Sequence, residues 1–186
     1  MDRSTASDVD TALDELAIAV RSVSPELLDR IALEIARANV VAAFAGGREG
    51  LVLRGLVMRL FHAGLDAHYQ GEMTTPAVGT GDLLILSCGP GNISMVEALA
   101  GVAKNAGARI LYFTAEPDNP PAHLADTVVV INAQTMANDS GSKAVLPMGS
   151  GFEIAMFVFV DLITNRVREM RAESPELMRA RHTNLE

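Results

Sequence analysis

The chain has a single cysteine, Cys88, in 186 residues, which excludes an intrachain disulfide and a zinc site built from cysteines. Its longest apolar run, Ile154 to Val160, is far too short to cross a bilayer. No charged-then-apolar leader is expected from the polar opening Asp2-Arg3-Ser4-Thr5. There is no basic stripe of the kind a nucleic-acid binder needs, and 15 Lys and Arg against 23 Asp and Glu leave a net charge of −8. None of the four histidines, His62, His68, His123 and His182, stands at metal-ligand spacing from another, so no metal site is indicated. What remains is 49% apolar and 20% charged, the usage of an ordinary globular protein and too apolar for disorder. One cytoplasmic domain with a sizeable core is expected, spanning residues 1–186.

Two amphipathic helices come first. Val9, Ala12, Leu13, Leu16, Ala17 and Val20 recur at helical spacing. Ser24-Pro25-Glu26 then restarts the chain with a cap, a first-turn proline and a first-turn acid. Residues 1–38 thus form a helical pair. Afterwards short apolar runs alternate with helices. Strands are expected at Val40–Ala45, Asp66–Tyr69, Asp82–Ser87, Ile110–Thr114 and Thr127–Ile131, with helices at Leu51–His62, Ile93–Ala106 and Phe152–Val167. Gly46 to Gly50 reads as a turn. Strands without polar alternation, separated by helices, imply a parallel sheet covered on both faces. The expected fold is α/β: a three-layer α/β/α sandwich on a five-stranded parallel sheet, doubly wound in the flavodoxin-like manner.

Two glycine-rich loops follow strands and open helices, where an open parallel sheet binds its ligands and free backbone N–H groups attract anions. The first holds Gly47, Arg48 and Glu49; the second runs Cys88-Gly89-Pro90-Gly91-Asn92. The second is no dinucleotide fingerprint, because Ser94 stands where the third glycine belongs, and it lacks the Gly-Lys-Ser/Thr of a Walker A loop. It fits a small-anion site or a tight turn. Cys88 fits a thiol activated by a helix N-terminus, or a small apolar filler. Glu153 opens the most apolar helix, flanked by Phe152, Ile154, Phe157 and Phe159. Burial there would raise its pKa toward the range of a general base; the structural alternative is a first-turn acid favoured by the helix dipole. Glu72, in the turn after the second strand, either pairs with Arg48 or faces substrate hydroxyls; otherwise it is surface. His182 lies in a polar tail and has a role only if the tail docks.

The ordered motifs resemble a known family. Gly-Gly-Arg-x-Gly after the first strand, Met-Arg-Leu-x-His-x-Gly at Met58–Gly64 and Gly-Glu-x-Thr-x-Pro at Gly71–Pro76 are similar to sugar isomerase (SIS) domain proteins. Gly-Asp-Leu-Leu-Ile at Gly81–Ile85 and Pro-Met-Gly-Ser-x-Phe-Glu at Pro147–Glu153 extend the likeness, and Arg-His-x-Asn-Leu-Glu at Arg181–Glu186 narrows it to the 6-phospho-3-hexuloisomerases. The resemblance implies a SIS-type fold and a homo-oligomer, a tetramer or dimer, with active sites between subunits. It implies ketose isomerisation through an enediol with Glu153 as acid/base, assisted by His182 from a tail (172–186) docked on a neighbouring subunit. His62, Arg48 and Glu72 would shape the site. No cofactor or metal is implied, and the partner is a small sugar or sugar phosphate rather than nucleic acid or membrane.

The loops depart from that family, which usually reads Gly-Arg-Ser-Gly and Ser-Gly-Ser-Gly-Glu-Thr. Here Glu49 replaces one serine and Cys88-Gly89-Pro90-Gly91-Asn92-Ile93 replaces the second set. Hydroxyl donors are gone, and Pro90 removes a backbone donor as well. The remaining phosphate candidates are Arg48, Asn92, Ser94 and the loop amides. The substrate is expected to be non-phosphorylated or unusual, with a non-catalytic, carbohydrate-derivative-binding oligomer as the alternative.

Overall fold

A computed structural model describes residues 5–140 and 144–185. Its sheet has five parallel strands: β1 (Val40–Ala45), β2 (Asp66–Tyr69), β3 (Leu83–Ser87), β4 (Arg109–Thr114) and β5 (Thr127–Val130). They lie in the order β2-β1-β3-β4-β5. Central β3 is buried at every position, pairing Ala43 with Ile85 on one side and Ile85 with Leu111 on the other. That is why the strand runs read as continuous apolar stretches and not as alternating ones.

Helices α1 (Thr5–Arg21), α2 (Pro25–Ala36), α3 (Gly47–His62) and α6 (Ser150–Met170) share one core with one face of the sheet, including Ile31, Leu53, Phe113, Phe152 and Phe159. Helices α4 (Ser94–Ala106) and α5 (Pro120–Leu124) bury Val96, Ala100 and Ala122 against Leu84, Leu86 and Tyr112 on the other face. The chain therefore winds one way from β1 and the opposite way from β3, and the switch point lies between their carboxyl ends. This is the doubly wound α/β/α arrangement that the strand pattern implies.

Local chemistry explains several helix ends. Ser24 accepts the Leu27 N–H at 3.2 Å with Pro25 in the first turn of α2. Gly107 closes α4 in the left-handed conformation. Helix α5 and α7 (Pro175–Ala180) were not expected, yet both start on a capping side chain followed by proline: Asn119 accepts from Ala122 and Ser174 from Leu177.

The expected turn at Gly46–Gly50 is corrected by the structure. Gly46 is the extended N-cap, and Gly50 N–H already bonds Gly46 O at 3.3 Å, so the Gly-Gly-Arg-Glu-Gly segment is the first turn of α3. Its last glycine serves packing, because a Cβ on Gly50 would stand 2.7 Å from both Ala45 O and the Tyr69 hydroxyl. Helix α6 likewise starts earlier than expected, at Ser150. The turn before it holds Met148 at φ 56° and Gly149 at φ 85°, and a left-handed methionine is a costly conformation of the kind found at ligand sites. Among the described residues, no helix is long and apolar enough to span a membrane.

Candidate active site

At the switch point, the start of α3, the loop after β3 and the start of α6 enclose a cleft of about 520 Å³. Its polar lining comes from Arg48, Glu49, Ser150 and Glu153, and its apolar walls include Ile93, Met136, Met148 and Phe152.

Glu49 projects inward from the first turn of α3 and is 8% exposed. Its carboxylate accepts the Gly89 N–H through both oxygens, at 2.9 and 3.1 Å, and accepts the hydroxyl of Ser87. It therefore ties the first glycine loop to the second. Burial raises its pKa, the Ser87 hydroxyl and the Gly89 amide oppose that rise, and the charge of Glu153 adds to it. Gly89 has no room for a side chain there: a Cβ would meet Phe152 at 3.0 Å and Glu49 Oε1 at 3.2 Å. Tyr112 supports the loop from β4 by donating its hydroxyl to Gly91 O at 3.0 Å.

Glu153 sits one turn into α6 with its side chain 14% exposed. The Arg48 guanidinium stands 3.0 Å from Glu153 Oε2 while donating a hydrogen bond to Ser150 Oγ at 3.0 Å. Oε2 itself is enclosed and takes no hydrogen bond among the described residues. Burial raises the pKa of Glu153 and Arg48 lowers it, with a net rise. The result is a largely buried carboxylate steered by the charge of Arg48.

The other expected site residues are distributed differently. Gly47 and Gly89 line the cleft, whereas Gly91 and Asn92 open onto a separate surface hollow beside Glu116 and Asn119. Cys88 is fully buried beneath the loop, and burial pushes its thiol up to about 11, so it is an inert filler within this chain. Ser94 is the first residue of α4 and is exposed. Glu72 does not meet Arg48; its partner is His68, 3.9 Å away on the edge of the sheet. His62 ends α3, thirteen residues after Glu49, which places it roughly 20 Å along the helix axis from the cleft. His182 stacks on His62 of its own chain, with ring centroids 5.1 Å apart. Arg181 holds the tail there, donating to His62 O at 2.8 Å and pairing with Glu173 at 2.9 Å. Sequence reasoning missed Ser87 and Ser150. The first was legible as the one hydroxyl ending an otherwise aliphatic strand; the second lay inside a motif valued for its glutamate. Among the described residues, no group of three or more His, Cys, Asp or Glu is gathered to hold a metal ion.

Comparison with known proteins places this geometry. Over 173 residues, 93% of this chain and 87% of the relative, it is 40% identical to a 3-hexulose-6-phosphate isomerase of Mycobacterium gastri. The chain belongs to the 3-hexulose-6-phosphate isomerase family of sugar isomerase (SIS) domain proteins. A second 3-hexulose-6-phosphate isomerase, from Bacillus subtilis, is 31% identical over 98% of this chain and 99% of its own. The crystal structure of a hypothetical protein from Methanococcus jannaschii, from which a 3-hexulose-6-phosphate isomerase function was inferred, superposes with a TM-score of 0.83. That match has 29% identity and covers 96% of this chain and 99% of the other. No family model matches the chain. The family is one of isomerases, and the candidate site coincides with the residues by which the motifs resemble it: Arg48, Ser150 and Glu153.

Proposed function

We propose that this protein is a ketose isomerase that moves a carbonyl between adjacent carbons through an enediol, with Glu153 transferring the proton. The observation that carries this is the Glu153 carboxylate, lining the cleft, largely buried and held 3.0 Å from the Arg48 guanidinium. In the forward step Glu153 takes the proton from the carbon next to the carbonyl. The C–H electron pair becomes the enediol double bond, and the carbonyl oxygen accepts a proton. In the return step the hydroxyl on the first carbon gives up its proton and becomes the new carbonyl, while the double-bond pair takes the carboxyl proton at the former carbonyl carbon. The neighbouring carbonyl acidifies the C–H bond, and the raised pKa of Glu153 brings its basicity closer to working pH.

The oxygen-side proton is assigned to His182 of a neighbouring copy, with His62 beside it. Within one chain the histidine pair is too far along α3 to reach the cleft. An exposed apolar face of α3 and α6, with Leu51 65% and Phe157 49% exposed, borders Arg48 and Glu153. Such a face supports a closed homo-oligomer in which one copy's tail completes another's site. For the substrate, the relatives' names point to a hexulose phosphate, whereas the Glu49-occupied loop favours a non-phosphorylated or unusual ketose.

Proton NMR in D₂O with fructose 6-phosphate and, separately, fructose tests the reading. Deuterium enters a carbon-bound position with at least one of them. Glu153→Gln abolishes that exchange while the protein remains folded. Full exchange in Glu153→Gln refutes Glu153 as the proton-transferring residue; no exchange in the wild type with either sugar refutes the isomerase reading and favours a carbohydrate-binding oligomer without turnover.

A further inference from the structure

Glu49 is a buried acid whose place in the cleft the enediol chemistry does not use. Its carboxylate already holds the Gly89 N–H and the Ser87 hydroxyl, donors that an anionic group of a ligand entering beside Gly89 would seek. Arg48 does not neutralise it, being turned to Ser150 and Glu153. We propose that Glu49 is a resident anion that sets the charge preference of this cleft. Ionised, it admits a neutral hydroxyl-bearing ligand; a phosphate or phosphate ester binds only together with a proton on Glu49. The assignment rests on the cleft being the sugar site proposed above, and it names which class of ligand that site takes at a given pH.

Two features make the carboxylate a charge gate and not merely a staple. One oxygen, Oε2, already meets both Gly89 and Ser87, and a neutral amide supplies one such acceptor. The carboxylate adds a negative charge a few ångströms from where a ligand's anion would lie, in surroundings that screen it poorly. The titratable and charged groups acting on Glu49 from the packed elements are Glu153 of α6, Cys88 after β3 and Tyr112 of β4. Burial holds the thiol and the phenol neutral well above neutral pH, so Glu153 is the one further anion among them. The charge of Glu153 adds to burial in favouring a proton on Glu49. As pH falls, Glu49 takes up its proton above the range of a free carboxylate, and anion binding strengthens with it.

Calorimetric titration of wild type and Glu49→Gln with inorganic phosphate, fructose 6-phosphate and fructose, at about pH 8 and about pH 5.5, tests this; the ester's own second proton, with a pKa of about 6, cancels between the two proteins. At the higher pH, Glu49→Gln binds both phosphates at least about tenfold more tightly than wild type, equivalent to about 1.4 kcal/mol, a gain larger than any change in fructose affinity. The gap narrows at the lower pH. Titrated in two buffers of different ionisation heat, wild type shows proton uptake with phosphate in excess of that shown by Glu49→Gln. Equal phosphate affinity in the two proteins at the higher pH, a gap indifferent to pH, absence of that excess proton uptake, or no phosphate binding by either protein each overturns the proposal. Because these are binding measurements, they remain separate from the deuterium-exchange test: loss of exchange defeats the isomerase reading without altering the charge preference.

Discussion

Two helical glycines that look alike in sequence are expected to respond in opposite directions to the same added methyl group. Gly101 lies in α4 with nothing within 4 Å of a built Cβ. Alanine there gains only helix propensity and a less flexible unfolded chain, worth about 0.5–1 kcal/mol. Gly50 lies in the first turn of α3, where the Cβ would be 2.7 Å from the Ala45 carbonyl and 2.7 Å from the Tyr69 hydroxyl. Those two groups are also bonded to each other, with Tyr69 donating to Ala45 O at 2.7 Å and accepting from Ala45 N at 3.3 Å. Ordinary contact requires roughly 3.4 Å or more, so either α3 retreats by about 0.7 Å or the tyrosine moves and releases a bond of about 1 kcal/mol. Overpacking of this kind costs about 1–3 kcal/mol, against about 1 kcal/mol of propensity in return. The net expectation for Gly50→Ala is a loss of about 1–3 kcal/mol. In a domain of this length that is a fall in Tm of about 2–4 °C per kcal/mol, with Gly101→Ala shifting Tm upward on the same scale. Thermal and urea unfolding of the two variants beside wild type provide the assay. A Gly50→Ala protein as stable as Gly101→Ala would show that α3 does not rest on β1 as described.

Other outcomes follow from the same geometry. Tyr112→Phe keeps the ring but leaves the buried Gly91 carbonyl without its donor, so stability falls by about 1–3 kcal/mol in urea unfolding; an unchanged midpoint would show the loop to be held otherwise. With Glu153 as the proposed base and its pKa raised by burial, the rate is expected to fall as pH drops through a value above that of an ordinary glutamate. A pH profile of kcat/KM whose acid limb lies in the free-carboxylate range would contradict that environment. Arg181→Ala removes the tail's hold on His62 O and Glu173. The His62 and His182 ring resonances should lose their mutual shift in NMR with little change in Tm, whereas an intact stack would mean that the tail is anchored elsewhere.

The layered architecture was legible because aliphatic strands such as Leu83-Leu84-Ile85-Leu86 have no polar face, and only a sheet covered on both sides accepts that pattern. Glu153 was legible for a similar reason: a carboxylate among Phe152, Ile154 and Phe157 has few inexpensive places to be. The Ser174-Pro175-Glu176 start of α7 was equally present in the sequence, repeating the Ser24-Pro25-Glu26 start of α2. Tertiary structure alone decided the rest. Gly46–Gly50 has the composition of a turn, yet the fold makes it the first turn of α3 and crowds Gly50 against Ala45 and Tyr69. Sequence leaves Glu49 free to point at ligand, at solvent or at a basic neighbour; the fold turns it onto Gly89 N–H and Ser87, groups forty and thirty-eight residues away. His182 was identifiable as a residue in search of a dock, but its distance from Glu153 depends on the length of α3, which local sequence does not measure against the cleft. Composition and periodicity report what a segment must bury, whereas a site depends on which buried segments meet, and that is settled only when the chain closes on itself.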